Sequence, residues 1–333
     1  MRILESTGMT LARIAGLLVV VVLLTVQTNA FVIVNPTMLQ QKQHTRVDSC
    51  LQMAQDSSAT TMTTTETSSS SIATKPNAEV VSSMPPPLPS DTLKNRYFLL
   101  RHGQSTANVA GIISSSRSLA YSDRHGLTPL GYEQGVNSSE ALLDLLSSSS
   151  LDKTYSKLKF ISSPFARAYQ TAQACLDGLV QLQQDETQQD RFTAAGITDL
   201  TDSMSIAYDD ELMERWFGRL DGEPLMTYAY IWPMDRFNVT HTTYDVESVA
   251  AVATRLRRVI LRLEEQYEGY NLVLTSHADV LQILQQYGAN VDNVGEFSSY
   301  RFGNGEVRFM DSTPESLPEP KPMNPPMRLA RTE

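Results

Sequence analysis

Three short apolar runs, each ending in polar residues, limit the folds open to this chain more than any other feature. Residues 97–103 read YFLLRHG, residues 160–163 read FISS and residues 272–277 read LVLTSH. Runs of this length and composition are typical of buried strands. Before the third run, apolar residues recur at helical spacing over residues 249–267, and Gly269 follows as a stop signal. Strands that alternate with helices predict an α/β layered sheet.

The polar residues at the ends of these strands are the first candidates for a functional site. Open α/β sheets bind ligands beyond the carboxyl ends of their strands. Arg101 and His102 follow the first strand, and His277 follows the third. Gly103 allows a tight turn in which backbone N–H groups face an anion. A histidine beside an arginine and small polar residues indicates a nucleophile in a phosphate cradle.

Two further segments strengthen this interpretation. Residues 162–172, SSPFARAYQTA, place Pro164 at the start of a helix and Arg167 in its first turn. The N-terminus of a helix attracts anions, and arginine adds a bidentate clamp. Residues 212–222, LMERWFGRLDG, place Glu214 among apolar residues. Each residue alone has an ordinary structural explanation, but their joint occurrence favours one site.

Together these motifs resemble the histidine phosphatase superfamily, in its phosphoglycerate-mutase-like group. The resemblance covers residues 96–310, and it is carried by RHGQSTAN (101–108), LTPLGYEQG (127–135), SSPFARAYQTA (162–172), LMERWFGRLDG (212–222) and SHAD (276–279). It implies a three-layer α/β/α sandwich with a mostly parallel central sheet.

The resemblance implies three catalytic residues, His102, Glu214 and His277. His102 is the expected nucleophile, which forms a phosphohistidine. Glu214 is expected to protonate the leaving oxygen and then to take a proton from water. Apolar neighbours would raise the pKa of this carboxyl and so keep it protonated.

The resemblance also implies how the phosphoryl group is held. Arg101, Arg167 and His277 are expected to surround its oxygens and to stabilise the transition state. Asn108 and the backbone amide of Ala278 are expected to add donors. Neither a metal ion nor a cofactor is part of this predicted site.

Two departures from the family pattern bear on the reaction. Ala278 stands where mutases usually carry glycine, and Asp279 lies two places after His277. In the acid-phosphatase branch an aspartate directly after this histidine is the proton donor, so Asp279 remains an alternative to Glu214. Only 63 positions separate Glu214 from His277 (277 − 214). Phosphoglycerate mutases carry a longer insert here, so the shorter connection favours hydrolysis.

The predicted function is therefore a metal-independent phosphomonoesterase that acts on a small phosphorylated metabolite through a phosphohistidine. Two alternatives stay open: a cofactor-dependent phosphoglycerate mutase and a catalytically idle phosphate-binding or scaffold module. The formal net charge of −10 falls outside residues 1–90, where basic and acidic side chains balance. An acidic domain repels polyanions, so no nucleic-acid partner is expected.

The first ninety residues have the composition of a targeting segment. Residues 1–30 predict a signal peptide, because residues 14–26 are almost all apolar and Ala30 offers a small residue for cleavage. Residues 31–92, rich in Ser, Thr and Pro, predict a disordered transit segment or linker. The Ala30-Phe31 junction resembles the two-part presequences of algae with complex plastids. We expect a plastid protein without stable membrane association after cleavage; secretion or an uncleaved anchor are the alternatives.

The remaining predictions concern domain limits and single residues. The phosphatase domain is assigned to residues 93–310, with a late strand at 307–309 and a disordered tail over 311–333. His241 is expected at the surface, and His125 on a loop at the pocket rim, either touching substrate or exposed. Four arginines are expected on a solvated helix face: Arg255, Arg257, Arg258 and Arg262.

Overall fold

The computed structural model describes residues 81–148, 155–197 and 200–321. The predicted signal peptide and most of the predicted transit segment lie outside the described residues, as does the end of the predicted tail. None of the helices in the described ranges is both long and apolar enough to cross a membrane.

A five-stranded sheet forms the centre of the domain. Its strands are β1 (Arg96–Arg101), β2 (Lys157–Ser162), β3 (Ala207–Tyr208), β4 (Tyr270–Ser276) and β5 (Val307–Phe309). Their spatial order is β3-β2-β4-β1-β5; β5 runs antiparallel to β1, and all other neighbours are parallel. Arg101 pairs with Ser276 at the ends of β1 and β4. His102 and His277 therefore leave adjacent strands at the same edge of the sheet.

Seven α-helices lie in the described ranges. They are α1 (Thr106–Ala110), α2 (Pro129–Ser147), α3 (Ala166–Gln184), α4 (Gln189–Ala195), α5 (Trp232–Phe237), α6 (Val249–Gln266) and α7 (Ala278–Gly288). The helix predicted over residues 249–267 is α6, and Ser248 caps it by accepting a hydrogen bond from the Ala251 amide.

Two hydrophobic cores lie on opposite faces of the sheet. Tyr97 and Leu99 of β1 pack with α6 and α7, whereas Phe98 and Leu100 pack with α2, α3 and α4. Successive strand residues point to opposite faces, so a strand buried on both sides is apolar throughout. The predicted α/β/α sandwich with a mostly parallel sheet is thereby confirmed.

The N-terminal boundary of the packed domain lies earlier than residue 93. Leu88 is 7% exposed and belongs to the core beneath α6 and α7. The Pro86 carbonyl accepts hydrogen bonds from the Tyr287 hydroxyl and from Arg257 Nε. The Pro-rich composition led us to expect a disordered linker here, but the buried Leu88 and the hydrogen bonds to Pro86 dock the segment on the domain.

The C-terminal boundary also differs from the prediction. Residues 311–321 are described, and they include a 3-10 turn at Pro314–Ser316. The Lys321 amide donates to the Ser299 carbonyl at 2.7 Å. This first part of the predicted tail is thus tied to the domain by its backbone.

The solvated arginine face predicted for α6 is wrong at Arg255. This side chain is buried, and its Nε lies 2.9 Å from a carboxylate oxygen of the buried Glu247. Arg258 and Arg262, in contrast, pair with Glu211 from more exposed positions. Sequence periodicity could not show that a carboxylate partner lies opposite Arg255.

Candidate active site

A cavity of about 310 Å³ opens at the carboxyl edge of the sheet. Six of the seven site residues predicted from the sequence line it: Arg101, His102, Asn108, Arg167, Glu214 and Ala278. His277, the seventh, is fully buried and lies against Arg167 rather than on the cavity wall.

His102 is held in one tautomer. Its Nδ1 lies 2.7 Å from the Gly103 carbonyl oxygen, which can only accept a hydrogen bond, so Nδ1 carries the proton. Nε2 then keeps its lone pair. Burial, together with the positive charges of Arg167 and Arg101, holds the pKa of His102 well below its usual range. The imidazole is therefore neutral and nucleophilic near pH 7.

Gly103 has a different role from the one expected. Its N–H donates to Thr171 Oγ1 at 2.9 Å, so this amide does not face an anion. A Cβ at this position would lie 2.2 Å from the Gly131 carbonyl oxygen. Glycine is needed because the loop passes close to the backbone of α2, which fixes the loop behind His102.

Arg167 lies in the first turn of α3 and is 2% exposed. Its Nη2 donates to the Ser114 carbonyl at 2.8 Å, and its Nε donates to His277 Nδ1 at 3.2 Å. Burial lowers the pKa of Arg167 to about 10, which still leaves it charged at neutral pH. These contacts orient a fixed cation toward the cavity.

Arg101 is the second cation of the site. Its Nη1 donates to the Phe302 carbonyl at 2.6 Å, and its buried Nε has no hydrogen-bond partner among the described residues. An unsatisfied buried donor is costly unless a ligand accepts from it. Burial lowers the pKa of Arg101.

His277 supports Arg167 from behind. Because Nδ1 accepts from Arg167, the proton lies on Nε2, which donates to Ser163 Oγ at 2.9 Å. The rings of His277 and His102 are 5.2 Å apart. Burial and the charge of Arg167 hold the pKa of His277 far below its usual range. In this arrangement His277 orients the cradle.

Glu214 is a buried carboxyl beside these groups. One oxygen accepts from the Arg215 amide at 2.9 Å, and the other lies 3.8 Å from His277 Nδ1. Burial, and then the charge of Asp279, raise the pKa of Glu214 to about 7, against the opposing charge of Arg167. A carboxyl of this kind can both give and take a proton at neutral pH.

Asp279 is the second carboxyl that lines the cavity. Trp232 Nε1 donates to Asp279 Oδ2 at 3.2 Å, and an Arg215 nitrogen lies 3.5 Å from the same oxygen. Burial raises the pKa of Asp279 although Arg215 opposes the shift. These contacts hold the Asp279 carboxyl in place near Glu214, and Asp279 remains the second candidate acid.

Asn108 and Ala278 offer hydrogen-bond donors. Asn108 Oδ1 accepts from the Ser105 amide at 3.0 Å, which leaves the side-chain NH₂ as the donating end. Ala278 is the first residue of α7, and no side chain caps this N-terminus. Its amide belongs to the positive end of an eleven-residue helix, a favourable place for an anion.

Arg215, Asp235 and His241 form a buried network next to the site. Arg215 donates to both Asp235 oxygens at 2.6 and 2.7 Å, rather than pairing with Glu214. His241 Nε2 lies 2.8 Å from Asp235 Oδ1, so the predicted surface position of His241 is wrong. The sequence shows no sign of this, since Asp235 reaches His241 through a turn.

His125 lies at the rim without lining the cavity. Its Nδ1 is 2.7 Å from Ser114 Oγ, and Ser114 itself contacts Arg167. Burial lowers the pKa of His125. It therefore supports the loop that holds Arg167.

The sequence interpretation missed Arg301, which lines the outer cavity together with Trp232. Residues 300–305, YRFGNG, carry an arginine and an aromatic residue ahead of two glycines and β5. This pattern could have drawn attention to the loop. Within the described ranges, no three His, Cys, Asp or Glu side chains converge as a metal site.

Comparisons with known proteins agree with the motifs. The model of the histidine phosphatase superfamily (branch 1) matches residues 97–192 and 188–317. Two curated relatives are the adenosylcobalamin/alpha-ribazole phosphatases of Salmonella typhimurium and Salmonella typhi. They are 29% and 30% identical over 189 residues, which is 57% of this chain and 77% of each relative.

Two solved structures are similar as well. A putative alpha-ribazole-5'-P phosphatase from Escherichia coli is 23% identical, with a TM-score of 0.44 over 68% of this chain and 96% of its own. A mycobacterial glucosyl-3-phosphoglycerate phosphatase is 20% identical, with a TM-score of 0.45 over 64% of this chain and 91% of its own. The family match spans more than half of the sequence, so this chain belongs to branch 1 of the histidine phosphatase superfamily.

Proposed function

We propose that this chain is a phosphomonoesterase that transfers the phosphoryl group of a small metabolite to His102 and then to water. The observation that carries the proposal is one cavity holding a neutral histidine, one buried and one half-buried arginine, and a carboxyl whose pKa is about 7. The phosphatase names of the relatives support the same reaction class.

In the first half-reaction, Nε2 of His102 attacks phosphorus as the bond to the leaving oxygen breaks. Glu214 gives its proton to that oxygen, so an alcohol leaves and Glu214 becomes a carboxylate. Arg101 and Arg167 offset the charge on the phosphoryl oxygens. The hydrogen bond from Nδ1–H to the Gly103 carbonyl stabilises the charge that develops on the ring.

In the second half-reaction, a water attacks the phosphohistidine. The Glu214 carboxylate takes its proton, the N–P bond breaks, and inorganic phosphate leaves with His102 neutral again. Glu214 thus returns to its protonated form. One carboxyl with a pKa near the working pH serves both steps.

Trapping of the phosphohistidine tests this proposal. With p-nitrophenyl phosphate, we expect phosphate on the wild-type protein and none on His102→Ala. Glu214→Gln is the second variant to compare. Because p-nitrophenolate leaves without a proton, the first step still occurs, whereas hydrolysis of the phosphohistidine lacks its base. The fraction of protein trapped as phosphohistidine should therefore rise. Equal turnover by wild type and His102→Ala would refute the proposal.

The same assays separate the alternatives. A phosphoglycerate mutase would interconvert 3- and 2-phosphoglycerate in the presence of 2,3-bisphosphoglycerate and release little phosphate. An idle phosphate-binding module would bind phosphate but turn over nothing in a broad substrate panel. We also expect turnover to survive EDTA, because arginines supply the positive charge of the cradle.

We further propose that residues 1–92 direct the protein to a plastid through the secretory route. The support is the apolar stretch over residues 14–26 and the Ala30-Phe31 junction. A fluorescent fusion of residues 1–90 tests it: plastid fluorescence supports the proposal, whereas a secreted or cytosolic signal contradicts it.

A further inference from the structure

The cavity contains one arginine more than the phosphoryl group of a phosphomonoester needs. Three arginines line it, namely Arg101, Arg167 and Arg301. Among the described residues, no carboxylate forms an ion pair with any of the three, whereas the fully buried Arg215 is paired with Asp235. Arg101 and Arg167 match the two negative charges of the phosphoryl group. Arg301 is left over.

Arg301 is fixed by its surroundings. Its Nε donates to the Ser298 carbonyl at 3.3 Å, and its guanidinium lies 5.9 Å from the centroid of the Trp232 ring. Trp232 in turn stacks on Tyr228, at 4.7 Å between centroids and an angle of 6°. A guanidinium held over an aromatic face loses little freedom when an anion binds it.

The position of Arg301 suits a group on the same small substrate. Arg101 donates a hydrogen bond to the carbonyl of Phe302, the residue directly after Arg301. This contact places Arg101 next to the loop that carries Arg301. Arg301 is half-buried and lines the cavity, and the hydrogen bond to Ser298 uses its Nε rather than its Nη groups. Unlike Arg101 and Arg167, Arg301 is therefore free to contact a part of the substrate other than its phosphoryl group.

Two carboxyls also line the cavity, and neither is paired with one of these three arginines. Glu214 enters the reaction protonated. Asp279 lies 3.5 Å from Arg215, and Trp232 donates to it. Neither forms an ion pair with Arg301.

We infer that Arg301, supported by Trp232, is a second anion site, and that the preferred substrates are phosphomonoesters whose leaving group carries a carboxylate or a second phosphate. The inference rests on the proposed phosphatase function. It assigns to Arg301 the recognition of the leaving group, with no part in the bond-breaking steps.

Matched substrates test it. The pair 3-phosphoglycerate and glycerol 3-phosphate differs by a carboxylate in place of a hydroxymethyl group. The pair fructose 1,6-bisphosphate and fructose 6-phosphate adds a second phosphate instead. For at least one pair we expect the anionic member to have a kcat/KM at least about tenfold higher, the ratio expected for one charge-assisted hydrogen bond. Preference within one pair alone shows which anion fits.

Variants then assign the preference to Arg301. In Arg301→Gln we expect the tenfold ratio to fall to about one, and in Arg301→Lys to recover in part, because lysine keeps the charge without the fork. Arg124→Gln is the matched control: it removes an exposed arginine that does not line the cavity, and the ratio should stay as in wild type.

Calorimetric binding to His102→Ala separates the two proposals, because it needs no turnover. Tighter binding of the anionic partner, lost in His102→Ala/Arg301→Gln, supports the second anion site even if hydrolysis is absent. Equal kcat/KM and equal affinity within both pairs in the wild-type and His102→Ala proteins would overturn it. So would a preference that Arg301→Gln leaves intact.

Discussion

The two ends of the cavity are built in different ways. The cradle (Arg101, His102, Arg167 and His277) stands directly after strands β1 and β4 and in the first turn of α3. The outer wall (Leu225, Tyr228, Trp232, Arg301 and Phe302) comes from the connections β3–α6 and α7–β5. Strand register fixes the first, whereas side-chain packing fixes the second.

This difference distinguishes the groups expected to act in the reaction from the groups expected to select the substrate. Cradle groups are held by short hydrogen bonds, such as those of Arg167 to Ser114 and His277. Wall groups are held by aromatic contacts, such as Tyr228 on Trp232. We therefore expect cradle substitutions to lower kcat for every substrate and wall substitutions to change KM for some.

Arg167→Lys gives the largest effect that is expected for all substrates alike. A lysine carries the charge but cannot donate to Ser114 and His277 while also facing two phosphoryl oxygens. We expect kcat to fall about 10²–10³-fold for all substrates, as for other groups that stabilise transition-state charge. Arg191→Lys, on a surface arginine paired with Glu140, should change kcat less than twofold. A cradle variant within tenfold of wild type would break the comparison.

Glu214→Gln should show an effect that depends on the leaving group. An alkyl phosphate needs a proton on its leaving oxygen, so its kcat/KM should fall about 10²–10⁴-fold. For p-nitrophenyl phosphate, which needs no proton there, we expect a loss below about tenfold. Equal losses for both substrates would instead point to Asp279 as the acid, or to a structural role of Glu214.

The pH dependence sharpens the roles of the two carboxyls. Glu214 donates only when protonated, so kcat/KM for an alkyl phosphate should fall as pH rises through about 7. Asp279→Asn removes a negative neighbour, which lowers the pKa of Glu214 and should move this fall to lower pH by up to about one unit. Substrate ionisation is the same in both proteins. Glu140→Gln, on an exposed carboxylate, should leave the profile in place.

Trp232→Ala tests the wall directly. Loss of the indole ring removes a stacking or cation–π contact worth about 1 kcal/mol, so KM for favoured substrates should rise five- to tenfold. The kcat should stay within about threefold, because the indole contacts Asp279 but no cradle residue. Measurement of kcat and KM tests this expectation: a fall in kcat with KM unchanged would show that Trp232 takes part in the reaction steps.

The comparison also explains what sequence could predict. Arg101, His102 and His277 follow apolar runs at strand ends, so local pattern alone brings them to one edge of the sheet. Trp232 and Arg301 lie far apart in the chain and meet only through tertiary packing. Local pattern contains no signal for that meeting.

Buried charges were misjudged for the same reason. Arg255 and His241 were expected in solvent, because charged residues are rarely buried without a partner. Their partners, Glu247 and Asp235, are visible only in the fold. Gly103 was expected to turn backbone N–H groups toward an anion, but its close neighbour is the Gly131 carbonyl.

The smallest expected effect on activity comes from Leu88→Ala. Leu88 packs near Gly288 and Met310, beside the start of β1 and thus at the sheet edge opposite the cavity. Removal of this buried side chain should lower the free energy of unfolding by about 2 kcal/mol. Both kcat and KM should stay within about twofold, because neither the cradle nor the wall contacts it. Pro87→Ala, on an exposed neighbour, should change neither stability nor activity. Denaturant unfolding that gives equal stabilities for the two variants would show that the segment does not dock.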